Sequence, residues 1–174
     1  MTESATRERT RRAVLAAAID ILREDPAASM AQVAAGAGVA RSTLHRYYPD
    51  RPALIAGIED FVAGVYESAL DAARVDEGSA ADALRRAVGE LIEQMQILAW
   101  WLDVDDDGND ARLEAVVARG HRDGSVDPAM DVAWIEAMLW SGLWSAHYLV
   151  RSGTYRMPEA RDLCIRTFAK VITP

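Results

Sequence analysis

Cysteine occurs once, at Cys164, so no disulfide can close within the chain, and a reducing cytoplasmic setting is the expectation. Lysine also occurs once, at Lys170, which leaves arginine to supply nearly all the strong positive charge. No apolar run approaches the roughly 18 to 20 residues that a membrane span requires. The first dozen residues are polar and charged, without the apolar stretch of an export signal. An unexported, cytoplasmic protein with no membrane partner is expected. Period-two alternation is missing and β-branched residues are sparse, which argues against sheets. The three histidines, His45, His121 and His147, fall on different predicted helices, so neither a metal site nor a nucleophile with its base is assembled. No catalytic residue, metal or cofactor is expected, and "GAGVAR" lacks the third glycine and the preceding strand of a dinucleotide-binding loop.

What is present is helical periodicity and an uneven charge. The chain of 174 residues is long enough to bury a core without staples and suits one or two small domains. It carries a formal charge of -8, but the acid is not spread evenly. Residues 1 to 51 hold eight arginines against six acids, and residues 52 to 174 hold eleven basic against twenty-one acidic side chains. Apolar spacings of three and four recur throughout, so the expected fold is all-α. The first helix is expected over 8 to 24, ended by Pro26, and the second opens at the N-cap Ser29. Gly36 and Gly38 break it, and a short third helix covers 41 to 48 before Pro49. Asp50 caps a fourth that runs to about residue 75, with Pro52 in its first turn. Further helices are expected over 80 to 102, 110 to 119, 128 to 151 and 158 to 172.

The run "SMAQVAAGAGVARSTLHRYY" meets the steric demands of a helix-turn-helix. Ala34 is small where two helices must approach, Gly38 suits a turn that wants positive φ, and Val39 and Leu44 are apolar where the second helix packs on the first. A second helix held this way presents Arg41, Ser42, Thr43, His45, Arg46 and Tyr47 outward, nearly all able to hydrogen-bond.

With "RRAVLAAAIDIL" before it and "QVAAGAGVARSTLHRYYPDRPAL" through the turn and the start of helix four, the chain resembles the TetR family of transcriptional regulators. The family run reads I-A-x-x-A-G-V-S-x-x-T-L-Y-x-Y-F-x-S-K-x-x-L, and this chain keeps Ala34, Ala37, Gly38, Val39, Thr43, Leu44, Tyr47 and Leu54. It departs at Ala40, His45, Tyr48 and the pair Asp50-Arg51, where serine, tyrosine, phenylalanine and Ser-Lys are usual. Ala40 cannot cap the third helix through a side-chain oxygen, a loss of about 1 kcal/mol. The likeness is specific over about the first 60 residues and rests on length and helical layout beyond them.

The resemblance implies a helix-turn-helix domain over 1–50 and a helical effector-binding and dimerisation domain over 51–174. It implies a homodimer on a pseudo-palindromic double-stranded operator, acting most simply as a repressor that a small-molecule effector releases. Arg41, Ser42, Thr43 and Arg46 are expected near base edges, since arginine is the usual bidentate reader of guanine. Ser29, His45, Tyr47 and Arg51 are expected at phosphates, where contacts set register without reading sequence. The implied effector pocket takes Met95, Leu98, Trp101, Trp134 and Met138 as candidates. Trp140, Trp144, His147 and Arg151 share one helical face of the 128 to 151 segment, and Ser141, Gly142 and Ser145 are small enough for close helix pairing. A competing reading is a calcium-responsive interaction module, because "DVDDDGNDARLE" matches a calcium-loop pattern through Asp103, Asp105, Asp107, Gly108 and Glu114. Against it, no second loop exists to pair with this one, and short acidic stretches also serve as solvated caps.

Overall fold

The computed structural model describes residues 2–103 and 110–174. Among them every regular element is helical: α1 (Thr2–Glu24), α2 (Met30–Gly36), α3 (Arg41–Tyr47), α4 (Arg51–Ala72), α5 (Ala80–Glu93), α6 (Met95–Leu98), a 3-10 segment (Ala99–Asp103), α7 (Ala111–Asp123), α8 (Val132–Arg151) and α9 (Met157–Ile172). The chain forms two compact units, Met1–Val65 with Trp100–Val104, and Tyr66–Ala99 with Asp105–Pro174.

In the first unit, α1 buries Val14, Leu15, Ala18, Ile19 and Leu22, one stripe at helical spacing. A capping box starts α2: the Gln32 amide donates to Ser29 Oγ at 3.3 Å, and the Ser29 amide donates to Gln32 Oε1 at 2.9 Å. Its end is a Schellman turn in which the Val39 amide donates to the Ala34 carbonyl (3.0 Å) and the Gly38 amide to that of Ala35 (3.1 Å). That closure requires the left-handed backbone of Gly38, at φ +65. Ala40 is the N-cap of α3 and offers no side-chain bond, as the sequence predicts. Two inward side chains seat α3, Leu44 and, one turn on, Tyr48, both essentially buried. Tyr48 lies so close to α4 that a Cβ at Gly57 would stand 2.5 Å from its ring. Asp50 caps α4 by accepting the Ala53 amide at 2.9 Å.

In the second unit, α5 packs against α7, α8 and α9, and α8 pairs with α9. Its buried run from Ala80 to Ile92 contains four alanines and Gly89, which let neighbouring helices approach on several sides. The end of α4 is held by one guanidinium: Arg86 donates to the carbonyls of Ala73 (2.6 Å), Arg74 (2.9 Å) and Glu77 (2.7 Å). Arg112 on α7 bonds Glu67 and Asp71 of α4 at 2.7 and 2.9 Å.

The elements depart from the sequence expectation at several places, among them the start of α1, at Thr2 rather than residue 8, and the end of α4, at Ala72 rather than about residue 75. The helix expected over 80 to 102 stops at Glu93, because Gln94 takes φ -101, ψ 2 and the chain restarts as α6 and the 3-10 segment. No proline or glycine marks this break, and Met95, Leu98 and Ala99 continue the buried pattern across it. The segment expected to start near Pro128 begins at Val132, since the Asp131 carboxylate accepts the Trp134 amide at 2.8 Å and caps there. α7 runs past residue 119 to Asp123, closing on Gly124 in the left-handed region.

Candidate nucleic-acid interface and effector region

Packing Leu44 and Tyr48 inward turns the opposite face of α3 to solvent, with Arg41, Ser42 and Arg46 exposed and Thr43, His45 and Tyr47 half-buried. The six candidates of this helix are thereby gathered on one short surface. Arg41 Nε donates to His45 Nε2 at 3.4 Å, which leaves the imidazole proton on Nδ1 to donate to the Pro49 carbonyl at 3.0 Å. The guanidinium groups of Arg7 and Arg46 each lie over the Tyr47 ring, 5.6 Å from its centroid. Arg11 donates to the Tyr48 hydroxyl at 3.1 Å, and Arg12 lies over Phe61. The basic start of α1 is therefore tied by aromatic contacts to the end of α3 and to α4.

The other two expected DNA residues have structural partners. The Ser29 hydroxyl is occupied in the capping box, where it also donates to Gln32 Oε1 at 2.8 Å. Arg51 directs its guanidinium at the carbonyls of Ala28 and Pro26. It thus fixes the turn that leads into α2, a role no local sequence signal carries because its partners lie more than twenty residues away.

The effector candidates are dispersed. In the second unit, Met95 and Leu98 are wholly buried in the core, Trp134 is 55% exposed, and Met138 lines a groove between α8 and α9. That groove measures about 340 Å³ and is walled by Leu139, Gly142, Cys164 and Phe168 among others. Burial among these groups pushes the Cys164 thiol up to about 11. The space enclosed by Tyr66, Leu70, Leu84, Leu113 and Val116 is nearly filled, at about 10 Å³. Tyr66 stacks on Trp140 with centroids 6.0 Å apart and donates its hydroxyl to Asp110, the cap of α7. Burial first, and then that bond, raises the Tyr66 phenol well above its ordinary range. The face shared by Trp140, Trp144, His147 and Arg151 is divided: Trp140 is half-buried, His147 buried beside Trp144, and Trp144 and Arg151 exposed.

Trp101 belongs to the first unit, where sequence reasoning missed its partners. Its indole and that of Trp100 both donate to the Glu59 carboxylate, Trp100 Nε1 to Oε1 at 2.5 Å and Trp101 Nε1 to Oε2 at 3.3 Å. The 41 residues between Glu59 and Trp100 hide that cluster from any pattern along the chain.

In the calcium-loop pattern, Asp105, Asp107 and Gly108 and the side chain of Asp103 lie outside the described residues. Among the described residues no group of three or more His, Cys, Asp or Glu side chains is placed to hold a metal ion. Nor is any described helix long and apolar enough to cross a membrane.

No protein-family model matches the chain. It is 31% identical over 169 residues to the HTH-type transcriptional repressor LfrR of Mycolicibacterium smegmatis, an alignment covering 88% of this chain and 86% of LfrR. The crystal structure of the TetR-like regulator LfrR in complex with proflavine superposes with a TM-score of 0.64 at 28% identity, covering 97% of this chain and 99% of that one. A TetR family regulator from Marinobacter aquaeolei superposes at 0.67 with 17% identity, over 97% and 98% of the two chains, which shows the shared fold. With the helix-turn-helix of α2 and α3, the all-helical second unit and this relationship in sequence, the chain belongs to the TetR family of transcriptional regulators.

Proposed function

We propose that the chain is a homodimeric, ligand-responsive repressor in which residues 1–50 read DNA and residues 51–174 bind effector and pair subunits. The observation that carries the reading head is the α3 surface: two buried anchors, Leu44 and Tyr48, hold six polar side chains outward on a helix short enough to enter a major groove. Arg41, Ser42, Thr43 and Arg46 then meet base edges, and His45 and Tyr47 meet phosphates. Ser29, expected at a phosphate, has its hydroxyl engaged in the capping of α2, and Arg51 acts by holding the α1–α2 turn in position.

Pairing is assigned to α8 and α9. Trp134, Trp144, Tyr148 and Leu163 are large apolar or amphipathic side chains left exposed there, and Ser141, Gly142 and Ser145 open a groove between them. The relative LfrR has been solved with proflavine, and a flat aromatic small molecule is the effector class we carry over. Its binding would favour a state whose two reading heads no longer match both half-sites; that difference in fit between two states is the coupling.

A gel shift with DNA from upstream of the chain's own gene tests the reading head. Arg46→Ala combined with Tyr47→Ala should weaken binding at least tenfold while leaving the melting temperature within a few degrees of wild type. Undiminished binding by the double variant would sink the assignment.

A further inference from the structure

Arg41 is the first residue of α3 and His45 stands one turn on, so the two side chains share a face at the end of the helix that a major groove would receive. The Pro49 carbonyl can only accept, and His45 Nδ1 lies 3.0 Å from it, so that nitrogen carries the ring proton. The carbonyl thereby fixes the tautomer and leaves the lone pair on Nε2, which accepts the Arg41 Nε–H at 3.4 Å. With Nε held, the two terminal nitrogens of the guanidinium remain as a fork on an exposed side chain, the edge that matches O6 and N7 of guanine. The bond from His45 to Pro49 would suffice to steady the end of α3; it does not require the second bond to Arg41. His45 also stands where the family usually has tyrosine, so this pair is no part of the shared run. Resting on the reading of α3 as the DNA-reading helix, we propose that His45 is a positioning residue that orients Arg41 for one guanine in each half-site. His45, grouped above with the phosphate contacts, has both ring nitrogens engaged within the protein, and its route to DNA is through Arg41. A long exposed arginine loses rotamer freedom when it meets a base, and a bond already made in the free protein lowers that cost.

The test is a binding selection by the full chain from a randomised duplex library, followed by anisotropy titrations on the selected site. Wild type should enrich a two-fold site with a guanine in each half that Arg41→Ala no longer selects. At that position His45→Phe, which keeps a ring but removes both nitrogens, should lower the preference for guanine over adenine at least threefold. Preferences at the other positions should stay within twofold. His45→Gln, which offers an acceptor from the same place, should hold the guanine preference within twofold, and His45→Leu serves if His45→Phe does not fold. Circular dichroism and melting establish that each variant is folded. A folded His45→Phe that loses less than threefold, or a His45→Gln that loses as much as His45→Phe, overturns the positioning role. A loss spread evenly over all positions overturns it too, since a merely structural residue would act that way. An Arg41→Ala that selects the wild-type site unchanged, or loses a base other than guanine, refutes the pair but keeps the regulator. A wild type that enriches no sequence refutes the regulator itself.

Discussion

At the scale of the residue, Arg51 shows how one side chain can serve two readings. By sequence it occupies the place where the family usually has lysine, a charge available for phosphate. In the structure its planar fork spans the carbonyls of Pro26 and Ala28, which precede the Ser29 cap and would otherwise face solvent or nothing at the end of a tight loop. A point charge such as lysine reaches one carbonyl where the guanidinium reaches two. Arg51→Gln should therefore cost about 1.5–3 kcal/mol of folding stability, the range for charged hydrogen bonds, read as a lowered midpoint in urea denaturation. Arg51→Lys should recover only part of it. A loss confined to DNA affinity, with an unchanged midpoint, would return Arg51 to the phosphate role. Glu59 makes the opposite point. It reads as one more acid along α4, and only the arrival of Trp100 and Trp101 beside it gives its carboxylate hydrogen-bond partners.

At the scale of the element, α3 forms under a handicap. Its seven residues include Ser42 and Thr43, which favour competing local bonds, and its N-cap is an alanine. Short helices are marginal alone, so α3 depends on the burial of Leu44 and Tyr48 and on the Schellman turn before it. Ala40 already has the extended backbone of a cap, at φ -64 and ψ 145, so a side-chain oxygen there needs no rearrangement. Ala40→Ser should stabilise the protein by about 0.5–2 kcal/mol, visible as a raised thermal midpoint. The same reasoning explains which helix bounds were legible. Ser29, Asp50 and Pro158 announce ends through local chemistry, and α2, α4 and α9 begin where those residues place them to within a residue. The stop at Gln94 has no such marker. Met95, Leu98 and Ala99 are buried by the helices packed around them, so apolar spacing carries straight through a break that tertiary packing imposes.

At the scale of the whole molecule, the acidity of the chain and its basic reading segment are compatible because they belong to different stretches of sequence. With few arginines on each head to meet phosphates, binding strength should come from presenting two heads together. Affinity should fall with salt, each neutralised phosphate adding roughly 0.9 to the slope of log K against log salt. Ser145→Arg places a bulky charge in the exposed α8 groove, and the two-fold symmetry of a dimer would bring two such charges together. Sedimentation should show at least a tenfold weaker dimer, with DNA binding falling alongside. Unchanged sedimentation would move the subunit interface elsewhere.

The sequence by itself determined the helical class, the helix-turn-helix and the identity of the outward residues of α3. Those features depend on groups within a few residues of one another: caps, a left-handed glycine, and a spacing of three or four. The sequence could also name Trp101, Trp134, Met95, Leu98 and Met138 as large apolar groups, but not sort them. Only tertiary structure put Met95 and Leu98 in the core, left Trp134 half in solvent, and brought Trp101 to Glu59. The reason is physical: burial and pairing depend on which elements pack together, and contacts across forty residues leave no periodic trace along the chain.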